Sequence, residues 1–151
     1  MRCRVEYVVL TQGALVVELW TGTISHDEVL AHERRHLSDS SIARGASVLV
    51  DANNASFETT LEVVHEVTDL YRRFGEELRI RKSALLVNRL AYDRANLYER
   101  QASDFGVTVI LFNSLDIACT WLGIDVMTVR KELEKLQASI SLKKEGGSRP
   151  T

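Results

Sequence analysis

Ser47–Val67 reads SVLVDANNASFETTLEVVHEV. The run Val48-Leu49-Val50 is apolar and mostly β-branched, too short for a helix, and reads as a buried strand. Asp51 and a polar stretch follow, and apolar residues return from Phe57 at steps of three and four. The expected order is strand, polar loop, helix: the first half of a βαβ unit. Open α/β sheets bind ligands at the carboxyl ends of their parallel strands. Asp51, Asn53, Asn54 and Ser56 stand at that place.

Working outward, Val5–Leu10 and Leu15–Trp20 read as two strands joined by a Thr11-Gln12-Gly13 hairpin turn. The alternation Val17-Glu18-Leu19-Trp20 predicts a hairpin with one partly exposed face. Ser25-His26-Asp27-Glu28 is a capping box, and the helix it opens is expected to reach about Leu37. Its apolar stripe, Val29, Leu30 and Leu37, is narrow. Downstream of the central stretch, Phe57, Leu61, Val64, Val67, Tyr71 and Phe74 predict an amphipathic helix. Ser83–Val87 and Val107–Phe112 read as further strands. Ala91, Ala95, Tyr98, Ala102 and Phe105 line a helix between them. Asn113 or Ser114 caps a short helix closed by Gly123.

A last helix begins at Asp125. Val126, Val129, Leu133, Leu136 and Ile140 form an a/d seam, which either folds back over the sheet or pairs two copies of the chain in a homodimer. Beyond about Ser141 the chain is polar and is expected to be a disordered tail, so residues 1–140 make the domain. The pattern is β-β-α-β-α-β-α-β-α-α, an α/β domain with a mixed, largely parallel sheet.

The chain has 151 residues, 45% hydrophobic and 26% charged, with a formal net charge of −2. That length suits one domain. That charge argues against a general nucleic-acid binder. No apolar run is long enough to span a bilayer, and no signal-peptide pattern is present, so no membrane insertion is expected and the cytoplasm is the default location. The two cysteines, Cys3 and Cys119, have no metal-ligand spacing. No cofactor is implied.

Three sets of residues could carry chemistry. Asp51, Asn53, Asn54 and Ser56, then Asn88, Arg89 and Tyr92, then Asn113 and Ser114, each follow a strand. If those strands are parallel, the sets share one edge and suit a partner protein or a small polar ligand. Ser56, Asn88, Asn113 and Ser114 equally suit helix caps. His32-Glu33-Arg34-Arg35-His36 matches the HExxH string of zinc peptidases, with histidines one turn apart. The two arginines would crowd an ion with positive charge, and no third ligand is placed by a downstream motif. The plain reading is a solvated helix face. No nucleophile-base set, nucleophile elbow or Gly-rich phosphate loop is present.

Residues 5 to about 124 resemble small bacterial STAS-like proteins akin to anti-sigma-factor antagonists, grouped with SEC14-type lipid-binding domains. The resemblance rests on VEYVVL, LVVELWTG, SHDEVLAHERRHLSD, SVLVDANNASF, LAYDRANLYERQA and VTVILFNSLDIACTWLG. It implies a STAS-like α/β fold and a non-enzymatic regulatory or ligand-sensing interaction module. The SEC14 side implies, as an alternative, a carrier of a small apolar ligand or lipid. Antagonists of this type carry a switch serine in an Asp-Ser-Ser-Gly setting. Matching Asp51 and Phe57 to that pattern puts Thr60 at the switch, with Thr59 or Ser56 as substitutes, and Glu62 where the glycine stands.

Overall fold

The computed structural model describes residues 4–57, 65–66, 69–70, 72–73, 80–88, 92, 96 and 108–148. Strand β1 (Arg4–Leu10) turns through Thr11–Gly13 into β2 (Leu15–Ile24), and the two pair antiparallel. The turn ends in a left-handed Gly13 (φ +91°). Strands β3 (Ala46–Phe57), β4 (Ile80–Val87) and β5 (Thr108–Phe112) follow in parallel, giving one sheet in the order β1-β2-β3-β4-β5.

Helix α1 (His26–Ser38) crosses from β2 to β3. Ser25 caps it as expected, accepting from the Glu28 backbone N–H (3.3 Å), while Glu28 reaches back to the serine hydroxyl, whose Oγ donates to Glu28 Oε1 (2.9 Å). The Glu28 N–H, one orphan donor of the first turn, is thereby satisfied. Helices α2 (Leu115–Leu122) and α3 (Val126–Ser148) come after β5. Ser114 caps α2, and Gly123 closes it in the left-handed conformation (φ 71°). Asp125 Oδ2 caps α3 by accepting from the Thr128 N–H (2.9 Å).

The helices divide between the two faces of the sheet. Leu30 and Val29 of α1 pack with Val16, Trp20, Val48, Val50 and Ala52. Ala118 and Cys119 of α2, with Val129, Leu133, Leu136 and Ile140 of α3, pack with Leu15, Val17, Leu19, Leu49 and Ala84. The a/d seam is therefore spent inside its own chain, which is the fold-back arrangement. Each of its buried aliphatic side chains contributes about 2 kcal/mol. Helix α3 continues to Ser148, past the point where the polar composition pointed to an irregular tail. Once a helix is nucleated and packed, further turns propagate at little cost.

Two other expectations are corrected. Leu15–Trp20 is buried throughout, Glu18 included, so this stretch of β2 has no exposed face. Asp51–Ser56 is not a loop: β3 runs on to Phe57, pairing with β2 up to Ile24. The pairing passes from Leu19↔Asp51 to Thr21↔Asn54, so Ala52 and Asn53 stand opposite Trp20 alone. This is a β-bulge. It returns Ala55 to the face that already holds Val48, Val50 and Ala52. The start of the following helix lies outside the described residues; residues 65–66, 69–70 and 72–73 are helical. Among the described residues, no helix is long and apolar enough to cross a membrane.

Candidate functional site

Two groups of polar residues stand out. The first is at the carboxyl ends of the strands. Because β4 ends opposite Ala52, the β2–β3 pair projects beyond it. Asn53, Asn54 and Ser56 are exposed on that projection, and Asp51 is half-buried at its base. Asp51 Oδ1 accepts from the Asn53 N–H (3.1 Å), which holds the bulge. Asn88, at the end of β4, donates through Nδ2 to the carbonyls of Asn53 (3.1 Å) and Ala55 (3.0 Å). Ser56 Oγ lies 3.3 Å from Thr23 Oγ1 on β2.

Asp51, Asn53, Asn54, Ser56 and Asn88 are thus brought together. Ser114 is committed to capping α2, and Asn113 is exposed after β5. Tyr92 is helical and 50% exposed. Arg89, Thr59 and Thr60 lie outside the described residues.

The second group is internal. His32 and His36 are one helical turn apart on α1, so both imidazoles leave the same side of it. That side faces the sheet: His32 is 4% and His36 6% exposed. The solvated-face reading of the HERRH string is therefore wrong for its histidines. The narrow apolar stripe of α1 is completed by these two rings. Arg34 and Arg35 are exposed, so neither enters the buried cluster. Arg35 instead lies over the Tyr7 ring, 4.7 Å from its centroid.

Opposite the histidines is Glu18 of β2, 1% exposed, on the same face as Val16 and Trp20. Glu18 Oε1 lies 2.8 Å from His32 Nε2 and accepts from the Trp20 indole N–H (2.9 Å). Glu18 Oε2 lies 2.6 Å from His36 Nε2, an ion-pair contact out of line for a hydrogen bond. His32 Nδ1 is buried without a hydrogen-bond partner.

Aromatic rings wall this cluster. Tyr7 is the direct cross-strand neighbour of Glu18 on β1. Its ring stands edge-on to His36 (4.9 Å, 89°) and to His32 (5.9 Å, 76°). Trp20 meets His32 edge-on at 4.9 Å. The Tyr7 hydroxyl donates to Asp39 Oδ2, just past α1. Burial, then that bond to an anion, raises the Tyr7 hydroxyl above its ordinary value.

Burial by itself would raise the Glu18 carboxyl, but the imidazoles of His36 and His32 outweigh it and hold it well below the usual carboxylate range. Burial likewise pulls His36 down, yet the Glu18 carboxylate overrides it and pushes His36 up to about 9. Facing His36 are Glu18 and Tyr7 from the sheet, His32, Glu33 and Arg35 on α1, and Asp39 beyond it.

The pH dependence follows by linkage. His36 is raised, so its contribution to stability is whole below about 6.5 and is lost as pH rises through about 9. Glu18 is lowered, so its contribution is whole above about 4.5 and is lost as pH falls through its depressed value. With chelator present, the urea midpoint is expected to be highest between those limits, and the decline on the alkaline side is expected to vanish in Glu18→Gln. An equal alkaline decline in that variant would refute the pairing.

The sequence reading missed Glu18 and Tyr7. The available signal was a lone carboxylate inside LVVELW, an otherwise apolar strand. Glu18, His32 and His36 each offer one ligand atom, all within 4.8 Å of one another.

No family model matches the chain, and no curated protein matches it. Among solved structures, a protein of Shewanella loihica PV-4, described as an uncharacterised member of the DUF3478 family with a SpoIIAA-like fold, is 14% identical. It aligns with a TM-score of 0.53 over 81% of this chain and 96% of that one. The anti-sigma factor antagonist SpoIIAA in its unphosphorylated form, also 14% identical, aligns over 79% of this chain and 97% of its own with a TM-score of 0.46. The first likeness shows the fold: this is an α/β domain of SpoIIAA-like, STAS type.

Proposed function

We propose that the chain is a non-enzymatic regulatory module of the bacterial cytoplasm that binds a partner protein or a small polar ligand at the carboxyl ends of β3 and β4. The projecting end of β3 is the observation that carries this reading. It presents Asn53, Asn54 and Ser56 to solvent on a strand held rigid by pairing with β2 and by the Asn88 bridge. Amides and hydroxyls on a rigid strand give directional hydrogen bonds at low entropic cost. The histidines of the HERRH string, closed off against Glu18, support the non-enzymatic reading, since a peptide cannot reach them. Arg89, Tyr92 and Asn113 would extend the same edge. Thr59 and Thr60 come two and three residues after Phe57 in the sequence, and a phosphate on either would add about −1.5 to −2 charge.

A photo-crosslinking residue at Asn54 tests the edge in cells. A discrete adduct is expected from position 54, lost at least about tenfold when Asn53 and Ser56 are both alanine, and absent when the crosslinker replaces Met127 on α3. No adduct at 54, or the same adduct from 127, overturns the reading.

A further inference from the structure

We propose that Glu18, His32 and His36 form a site for a divalent transition-metal ion, with zinc the ion probed first, that clamps α1 to β2. The site is independent of the strand-end reading. It also differs from the peptidase string that contains its histidines, because its carboxylate comes from a neighbouring strand, not from Glu33.

The donors are the first argument. Two imidazole nitrogens and a carboxylate make a borderline set that suits zinc, iron(II) or cobalt(II). An all-oxygen set would favour magnesium or calcium, and thiolates copper(I). Ligand atoms bound about 2.0–2.2 Å from one ion are roughly 3–4 Å apart, and the three donors here fall within 4.8 Å of one another.

The unsatisfied valences are the second. Glu18 Oε2 and His36 Nε2 are buried and within 2.6 Å, yet make no aligned hydrogen bond. A divalent ion that displaces the proton from this contact would take both atoms as ligands. Three apolar side chains would hold α1 to β2 with less desolvation than a carboxylate and two imidazoles.

The surroundings are the third. The Trp20 indole fixes the carboxylate by binding Oε1, as outer-shell donors do at metal sites. Tyr7 and Trp20 wall the cluster with aromatic rings. With all three ligands nearly inaccessible, the ion has a structural place and no entry for a substrate.

The test uses the untagged full chain, stripped with chelator and titrated with zinc, then with cobalt(II). Zinc is expected to bind at one equivalent and, at a hundredfold excess over its dissociation constant, to raise Tm by about 5–10 °C. Cobalt(II) is expected to quench Trp20, read alone in a Trp121→Phe background, because Trp20 touches the ligand carboxylate while Trp121 packs on the opposite face. Glu18→Gln and His36→Gln should abolish both effects, and His26→Ala, at the exposed Glu66 pair, should leave them intact. Should the buried variants fail to fold, Trp20 quenching decides alone. No binding tighter than about 10 μM, no quenching of Trp20, or dependence on His26 in place of Glu18 overturns the site.

Discussion

Glu18→Ala is expected to lower the unfolding free energy of the metal-free protein by about 3–5 kcal/mol at neutral pH, measured by urea denaturation with chelator. The reason is asymmetric. The ion pair as a whole is worth little against an apolar alternative, because both partners are taken out of water. Removing one partner leaves the other buried and uncompensated. Here the remaining groups are His36, held protonated by Glu18, and His32, whose Nε2 lies 2.8 Å from the same carboxylate. The Trp20 indole also loses its acceptor. The same logic predicts the opposite sign for replacement of the whole cluster. The triple variant Glu18→Leu, His32→Leu, His36→Leu should match or exceed the wild type by up to about 4 kcal/mol, because it fills the same space without desolvating charge. A loss under about 1 kcal/mol for Glu18→Ala would refute the pairing; a triple variant as unstable as the single one would place the cost in packing alone.

Gly13→Ala is expected to cost about 3 kcal/mol or more. Two penalties add. Gly13 sits at φ +91°, where a side chain is strained by about 1 kcal/mol. A Cβ there would also fall 2.4 Å from the Ser41 carbonyl oxygen and 2.8 Å from the Ala43 nitrogen. Both are backbone atoms that cannot swing away, and overpacking of this kind costs about 1–3 kcal/mol. The contact is close because the hairpin turn is bonded to the loop before β3: Ala43 N–H donates to the Gly13 carbonyl (2.9 Å) and Ser47 N–H to that of Ala14 (2.9 Å). Gly45→Ala is the control. It has a similar φ of +82° and open space around the added Cβ, so it should cost only about 1 kcal/mol. Equal losses would mean that the close approach contributes nothing.

The sheet was legible from local signals because its parallel strands carry short apolar runs and its helix ends carry their caps. Ser25, Ser114, Gly123 and Asp125 each do what their residue type and position imply. Asp51–Ser56 was misread because DANNAS has the composition of a loop, while the bulge lets such residues stay in a strand with only Ala52 and Ala55 turned inward. That register is set by pairing with β2, a nonlocal fact. The histidine side of α1 was misread for a related reason. Periodicity shows that His32 and His36 share a face, but which face is buried depends on Glu18 and Tyr7, brought there by a different hairpin. A carboxylate inside an apolar strand reads as an exposed face until both sides of that strand are known to be covered.

The projecting end of β3 also bears on self-association. On the side away from β2, its backbone has run past the last residue of β4, so carbonyls of Asn53 and Ala55 face outward like those of an edge strand. Such rows template pairing with foreign strands and are a route to aggregation. The Asn88 amide occupies both carbonyls, standing in for the strand that is missing. Among the described residues, a single side chain at the end of β4 thus covers this notch, and the projecting strand end does not offer those two carbonyls as a template.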